Sequence, residues 1–302
     1  MRFDRLDLNL LVAFDVLANE QNVSSAARTL HLSQSAVSGA LNRLRDYFGD
    51  ELLVPSGRRM ILTPKAQQLV EPVRQALLLI RSNITTPSKF DPASTERSFS
   101  IVASDYAYAV FLADAIKAAS CEAPGASFDI IPANTAVHDQ LESGKIDLLL
   151  TIDRYLALGH PHESLCVDQH VVVAWDQNRH CKGIMDQALF GRLGHVITVF
   201  GPSRFPALSE SLFEEMNVER KIDVRVASFS AIPQSVIGTD RIATMHRRHA
   251  EYFASMMPIR IFDMPYQLPE VRESVQWHRI RHADEGLKWL IGHIKTATNV
   301  LL

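Results

Sequence analysis

The chain has 302 residues, of which 47% are hydrophobic and 22% are charged, so it is long enough for two domains and can bury a core without disulfide bonds. Its formal net charge of -3 at pH 7 does not by itself indicate a nucleic-acid partner. Three scattered cysteines without C-x-x-C spacing argue against a disulfide framework and a zinc site: Cys121, Cys166 and Cys181. The amino terminus lacks a signal-peptide pattern, and no apolar run approaches about 18 residues, so we expect a cytoplasmic protein without a membrane span.

Three short helices are predicted at the start of the chain. Apolar residues at three- and four-residue steps predict a helix over residues 6–20, with Asp7 as its N-cap. Ser24 is expected to open a second short helix. Ser33 is expected to cap a third helix, which ends at Gly49.

A hairpin with a basic tip is predicted after these helices. Two short apolar segments, residues 52–54 and 60–62, flank a turn that carries Arg58 and Arg59. The window 28–65 holds six basic and three acidic residues, so it is net basic in an otherwise acidic protein. The first 63 residues therefore predict an all-α winged helix-turn-helix domain.

A long helix should follow the hairpin. Thr63 followed by proline is a strong helix start, and apolar residues recur at helical spacing from residue 66 to residue 84. Pro72 falls inside this pattern and should bend the helix. We assign residues 64–92 to a linker helix and hinge.

The remaining chain, residues 93–302, alternates between strand and helix patterns in two successive sets. This alternation predicts parallel sheets in an α/β domain with two similar lobes and a cleft between them. We expect the first lobe to comprise residues 93–167 and 270–302, and the second to comprise residues 168–269. The fold class is therefore mixed, with a helical domain followed by an α/β domain.

The third helix carries the residue types that a recognition helix needs. Small polar side chains at its start let it approach a major groove closely, and exposed amides behind the Ser33 cap can receive a phosphate. The carboxamide of Gln34 can pair with adenine, whereas Arg58 and Arg59 could reach a minor groove or phosphates. The candidate DNA-contacting residues are Ser24, Ser33, Gln34, Ser35, Ser38, Asn42, Arg43, Arg58, Arg59, Thr63 and Lys65.

The sequence resembles the LysR-type transcriptional regulators, and within them the branch that contains NodD, NahR and DntR. The resemblance is carried by the DLNLL opening, the helix that begins SQSAVS, Pro72, and the segments 90–92 (FDP) and 229–233 (FSAIP). Many members have proline where this chain has Ser35. The resemblance implies a dimer of dimers paired through linker helices, an operator with an interrupted inverted repeat, and RNA polymerase as a further partner. The alternative for the linker stripe is that it packs onto its own domain.

The resemblance also implies a periplasmic-binding-protein-like effector domain that binds a small-molecule co-inducer between its lobes, with no other cofactor. His170 matches the position of a cleft histidine in the NahR and DntR branch, and Phe205 falls near a second one. Aromatic and hydroxyl groups favour an aromatic or phenolic effector, whereas Arg204 would favour a carboxylate unless it is only an exposed loop residue. Candidate effector contacts are Ser104, Asp105, Tyr106, Asn134, Thr135, His170, Phe200, Arg204, Phe205, Phe229, Ser230, Ile232 and Pro233.

The sequence gives less support to other classes of function. An enzyme is not indicated, because the G-x-S-x-G, G-x-G-x-x-G, P-loop and H-E-x-x-H patterns are missing from the sequence. A solute-binding protein would need an export signal and would not need the first 90 residues. A metal site is not expected, since His160 and His162 read as a surface loop, and His246 with His249 has only Glu251 nearby.

Overall fold

The computed structural model describes residues 6–56, 59–80, 90–201 and 203–299. The chain divides into two compact units, Met1–Ser88 and Lys89–Leu302. In the part of the chain that the structure describes, no helix is long and apolar enough to cross a membrane.

The first unit consists of three short helices, a two-stranded hairpin and a longer helix. In chain order they are α1 (Leu8–Glu20), α2 (Val23–Thr29), α3 (Gln34–Phe48), β1 (Leu53–Ser56), β2 (Arg59–Leu62) and α4 (Pro64–Ile80). The two strands are antiparallel, as expected for a wing.

Local side-chain caps fix the ends of the three short helices. The side chain of Asp7 caps α1, and the hydroxyl of Ser33 caps α3 by accepting a hydrogen bond from a backbone amide, both as predicted. The prediction that Ser24 opens α2 is wrong. Asn22 is the N-cap, because its side-chain oxygen accepts a hydrogen bond from the backbone amide of Ser25. Gly49 ends α3 in the left-handed conformation, with φ of 60°.

Apolar faces of all four helices form one core. Phe14, Leu17, Val37 and Leu44 are fully buried in it. The helix α4 contributes to the same core through residues that include Ala66, Val73 and Leu77. The described part of its apolar stripe is therefore largely covered within its own unit, which is the alternative considered above for this helix.

The second unit contains the remaining elements. In chain order they are β3 (Ser98–Ala103), α5 (Asp105–Ala107), a π-helical turn (Tyr108–Leu112), α6 (Ala113–Glu122), β4 (Ser127–Pro132), α7 (Val137–Glu142), β5 (Leu148–Ile152), β6 (His162–Asp168), β7 (His170–Trp175), α8 (Gln187–Arg192), β8 (Gly194–Phe200), β9 (Phe205–Pro206), α9 (Leu208–Glu215), β10 (Lys221–Val226), α10 (Ile232–Val236), β11 (Ile242–His246), α11 (Arg247–Ala254), β12 (Ile259–Asp263), β13 (Val271–Gln276) and α12 (Glu285–Asn299). Short 3-10 turns link several of them, including residues 229–231.

Two mixed sheets organise this unit into lobes. Lobe I holds the sheet β4-β3-β5-β13-β6, and lobe II holds β10-β8-β11-β7-β12 with β9 beside β8. The central pairings of β3 with β4 and β5, and of β8 with β10 and β11, are parallel.

The expectation of parallel sheets is confirmed for these central pairings and is wrong for the strands next to the lobe crossings. Strand β13 is antiparallel to β5 and β6, and β7 is antiparallel to β11 and β12. The chain passes from lobe I to lobe II at Gln169 and returns between β12 and β13. None of these strands is joined to its sheet neighbours by a single strand-helix-strand crossover, so the rule that makes such neighbours parallel does not apply to them.

The start of α4 offers a test of the first unit. The hydroxyl of Thr63 accepts a hydrogen bond from the amide of Ala66 at 3.1 Å and donates one to Asp50 at 2.6 Å. Thr63→Ala should lower the free energy of unfolding of the full chain by about 1 to 2 kcal/mol, because it removes a helix cap. Urea denaturation measures this. Thr63→Ser keeps the hydroxyl and should retain most of the stability; an equal loss in both variants would assign the effect to the methyl group.

Candidate functional site

The amino-terminal end of α3 presents an exposed polar surface. Gln34, Ser35, Asn42 and Arg43 are exposed, and Ser38 is half-buried. This arrangement follows from helical periodicity, since the apolar residues of α3 face the core and leave the polar residues outward. The surface can approach a nucleic-acid groove without unfolding any part of the unit.

Ser33 and two predicted DNA contacts at the start of α4 are held by internal hydrogen bonds. Ser33 shares a hydrogen bond with the Ser35 hydroxyl at 2.9 Å while it caps α3. Thr63 and Lys65 bond inward, to Asp50 and to the carbonyl of Phe48 respectively. Within this unit they position the wing and α4.

Three candidate DNA contacts remain in this unit: Ser24, Arg58 and Arg59. Ser24 is exposed on α2. Arg59 begins β2, but its side chain lies outside the described residues, as does the whole of Arg58. Their predicted contact with DNA remains a prediction.

A cleft of about 840 Å³ lies between the two lobes of the second unit. Its walls are rich in aromatic rings from both lobes: Tyr108, Tyr155, Phe200, Phe205 and Phe229. Rings from opposite lobes approach each other, with the centroids of Tyr155 and Phe205 6.0 Å apart. An apolar space lined by rings suits an aromatic ligand.

Seven of the thirteen predicted effector residues line this cleft. They are Ser104, Asp105, Asn134, Thr135, Phe200, Phe205 and Phe229. Parallel strands explain the grouping, because the ends of β3, β4 and β8 meet at the same edge of their sheets.

The other six predicted residues lie outside the lining. Tyr106 is fully buried behind the cleft and donates a hydrogen bond from its hydroxyl to Asp168 at 2.7 Å. His170 is buried at the lobe crossing, 5.3 Å from the ring of His246. Ile232 and Pro233 are buried in α10.

Arg204 lines a separate, smaller groove on lobe II, and Ser230 does not belong to the cleft lining. The smaller groove also holds Arg220 and Arg225. Ser230 and the preceding Phe229 donate their amides to the carboxylate of Asp105, at 2.6 and 3.3 Å. The carboxylate therefore links lobe I to lobe II across the cleft.

Several residues of the cleft lining are not predicted from the sequence, among them Tyr108, Tyr155, His246 and Glu273. His246 ends β11 in lobe II, and Glu273 lies on β13 in lobe I. The sequence presents His246 only as a possible metal ligand, and the alternation around Glu273 is too weak to show which face of its strand is buried. No short motif marks either residue.

The floor of the cleft is kept uncharged by burial. Burial and the neighbouring His249 lower the pKa of His246 to about 3, so this imidazole is neutral at pH 7. Burial and the nearby carboxylates of Asp168 and Asp153 raise the pKa of Glu273 to about 8. Among the described residues that line the cleft, none is lysine or arginine.

A second cluster of titratable groups lies in lobe I, outside the cleft lining. Glu142, His160 and His278 bring their ligand atoms within 4.8 Å of one another. The expectation that His160 belongs to a surface loop is wrong, since it is only 8% exposed. It pairs with Glu142 at 2.6 Å through Nε2.

The hydrogen bonds in this cluster disfavour a metal ion. Nδ1 of His160 accepts the amide of Arg279 at 3.3 Å, and Nδ1 of His278 accepts the amide of Ile280 at 3.2 Å. These contacts place the ring protons on Nε2, the atoms that would have to bind the metal. We interpret the cluster as a hydrogen-bonded junction.

Together, an exposed helix-turn-helix surface and a two-lobed domain with a ligand-sized cleft define a DNA-binding regulator. Residues 8–67 match the family described as "Bacterial regulatory helix-turn-helix protein, lysR family". Residues 92–299 match the family described as "LysR substrate binding domain". The chain belongs to the LysR family of transcription regulators, which are not enzymes.

Similar proteins span the whole chain. It is 40% identical over 292 residues to Nodulation protein D 1 of Rhizobium tropici, covering 97% of this chain and 95% of the relative. It is 37% identical to Nodulation protein D of Azorhizobium caulinodans, covering 97% and 94%.

Solved structures give the same architecture. A probable transcriptional regulator from Pseudomonas aeruginosa superposes with a TM-score of 0.65 at 29% identity, covering 97% of this chain and 98% of that one. CbnR, a LysR family regulator solved with its target DNA, superposes with a TM-score of 0.60 at 16% identity, covering 97% and 100%, and supports the fold.

Glu273 makes stability depend on pH in a defined direction. Because its pKa rises from 4.5 in the unfolded chain to about 8 in the folded protein, the folded state holds a proton that the unfolded chain releases. The stabilisation of the folded state that comes from this proton is complete below about pH 4.5 and is lost as pH rises towards 8. Glu273→Gln cannot titrate, so its stability relative to the natural chain should rise by roughly 1.4 kcal/mol per pH unit across this window.

Urea denaturation of both proteins at pH 5.5, 6.5 and 7.5 measures this difference. The exposed Glu219 provides a matched control, and Glu219→Gln should track the natural chain. A constant difference between Glu273→Gln and the natural chain across this range would show that Glu273 is ionised in the folded protein.

Proposed function

We propose that this LysR-family regulator responds to a small, uncharged aromatic or phenolic effector bound in the cleft between its lobes. The observation that carries this proposal is the lining: five aromatic rings surround the space, and its described side chains include no lysine or arginine. The two amides that could have received a ligand carboxylate, those of Phe229 and Ser230, already bond to Asp105. A carboxylate effector, the second candidate, would need a cation such as Arg204, which faces the other groove.

We infer that the exposed end of α3 enters the major groove of an operator with an interrupted inverted repeat. Phosphate contacts should supply much of the affinity, so binding should fall steeply as salt rises. We also propose assembly as a dimer of dimers through the linker helices, RNA polymerase as a further partner, and action at the nucleoid in the bacterial cytoplasm. Family membership supports each of these points.

Control would follow from linkage between the two domains. An effector shifts an equilibrium only by its different affinity for two arrangements of the protein. A compound that spans both walls of the cleft favours one spacing of the lobes, which in turn would favour one arrangement of the paired DNA-binding units.

Gln34 tests whether α3 recognises the bases of the operator. Gln34→Ala should weaken binding to the specific operator by about tenfold or more, because a bidentate base contact contributes roughly 1 to 3 kcal/mol of discrimination. Gel-shift titrations with operator and random DNA measure the two affinities. Equal losses on both DNAs would show that Gln34 contributes no base reading. The exposed Asn9, which lies outside the predicted contacts, gives the control variant Asn9→Ala.

A ligand screen tests the effector class. Uncharged phenols and flavonoid-like compounds should raise the melting temperature of the full chain, whereas aromatic acids of similar size should not, because the cleft offers carboxyl groups and no described cation. Differential scanning fluorimetry at pH 7 measures this. Stabilisation by the acids alone would favour the carboxylate alternative.

A further inference from the structure

Glu273 occupies an unusual place for an acidic side chain. It lies on β13 between β5 and β6, in the middle of the lobe I sheet, and is only 3% exposed. Glu273 belongs to the lining of the cleft, and its oxygens are not among the enclosed side-chain atoms that lack a hydrogen-bond partner. The carboxyl group is therefore within reach of a ligand in the cleft, and a ligand that offers it no partner would leave a largely buried polar group unsatisfied.

The surroundings of Glu273 oppose a negative charge. The carboxylate of Asp168, whose proximity helps to raise the pKa of Glu273, accepts hydrogen bonds from the Tyr106 hydroxyl and from the backbone amides of Gln169 and Arg248. The titratable or charged groups that face Glu273 from the elements around it are Tyr106 on α5, Asp153 after β5, Cys166 and Asp168 on β6, His246 on β11 and Arg248 on α11. Carboxylates outnumber the single cation, and the imidazole is neutral.

A carboxyl group that keeps its proton is a hydrogen-bond donor. In an apolar site such a donor pairs strongly with an oxygen that carries partial negative charge. The other carboxyl group in the lining, Asp105, accepts hydrogen bonds from two backbone amides of lobe II. The cleft thus separates the roles of its two acids, with an acceptor that bridges the lobes and a donor on the floor.

We propose that the carboxyl group of Glu273 donates a hydrogen bond to a carbonyl or other acceptor oxygen of the effector and thereby selects aromatic ketones over similar compounds without that oxygen. This inference rests on the proposed function of the cleft. An effector without an acceptor would leave the buried donor unpaired, which should weaken its binding by about tenfold to a hundredfold.

Matched probes and variants separate this role from a structural one. Flavone is an uncharged aromatic ketone that does not ionise, and flavan has the same ring system without the carbonyl. Fluorescence titration of the full chain at pH 7 should give at least about tenfold tighter binding of flavone than of flavan. Glu273→Leu should abolish this preference, whereas Glu273→Gln retains a donor and should keep it within about threefold. Glu219→Gln, at an exposed position, is the control.

A pH series adds a readout that a purely structural role would not change. Because neither probe ionises, any loss of flavone affinity between pH 7 and 9.5 must come from the protein. The affinity should fall in the natural chain as Glu273 loses its proton, and should stay level in Glu273→Gln. Circular dichroism at each pH verifies that every variant is folded, and Glu273→Gln still tests the pH effect if Glu273→Leu does not fold.

The outcomes distinguish this inference from the proposed function. If no aromatic compound in the screen binds the natural chain, the proposed effector class falls and this inference falls with it. If phenols bind but flavone does not, or if flavone binding is indifferent to the carbonyl, to Glu273→Leu and to pH, the role of Glu273 is refuted while the proposed function stands.

Discussion

The hydrogen bonds from lobe II to the carboxylate of Asp105 are the constraint on which the cleft depends. Two amides, from Phe229 and Ser230, meet one acid from the start of α5. This contact joins the lobes together with the ion pair of Arg154 with Glu215, and it occupies both amides at the start of the 3-10 turn. A ligand that enters therefore meets aromatic walls and finds these amides already paired with the protein's own carboxylate. The cleft is therefore better suited to an uncharged aromatic ligand than to an anion.

Much of the architecture could be predicted because local chemistry determines it. The cap at Ser33, the glycine stop at Gly49 and the Thr63 start each require only neighbouring residues, and each lies where the pattern places it. The cap of α2 is less well determined by the sequence pattern, because Asn22 and Ser24 are both favoured N-cap residues and the structure places Asn22 there. Strand direction next to the lobe crossings could not be predicted, since it depends on which sheet a strand joins.

About half of the predicted effector residues line the cleft, because some positions follow from strand order and others depend on tertiary structure. Residues at the ends of parallel strands, such as Ser104 and Asn134, were found by topology alone. Tyr106 and His170 have suitable chemistry, but the structure turns them away from the lining to support it. Glu273 and His246 come from strands that no motif identifies, and their meeting is a product of tertiary structure. Their protonation depends on burial, which a single sequence does not reveal.

The route of the chain between the lobes has a further consequence. Strand β6 ends at Asp168, strand β13 begins at Val271, and these two residues are register partners in the lobe I sheet. The whole of lobe II is thus inserted between two neighbouring points of lobe I. Evolution, or an engineer, can exchange that lobe for another by cutting and rejoining at two adjacent positions, leaving the DNA-binding unit and the floor strand β13 intact. Lobe II can in this sense be replaced as a unit, and new effector specificities can arise by recombination as well as by point substitution.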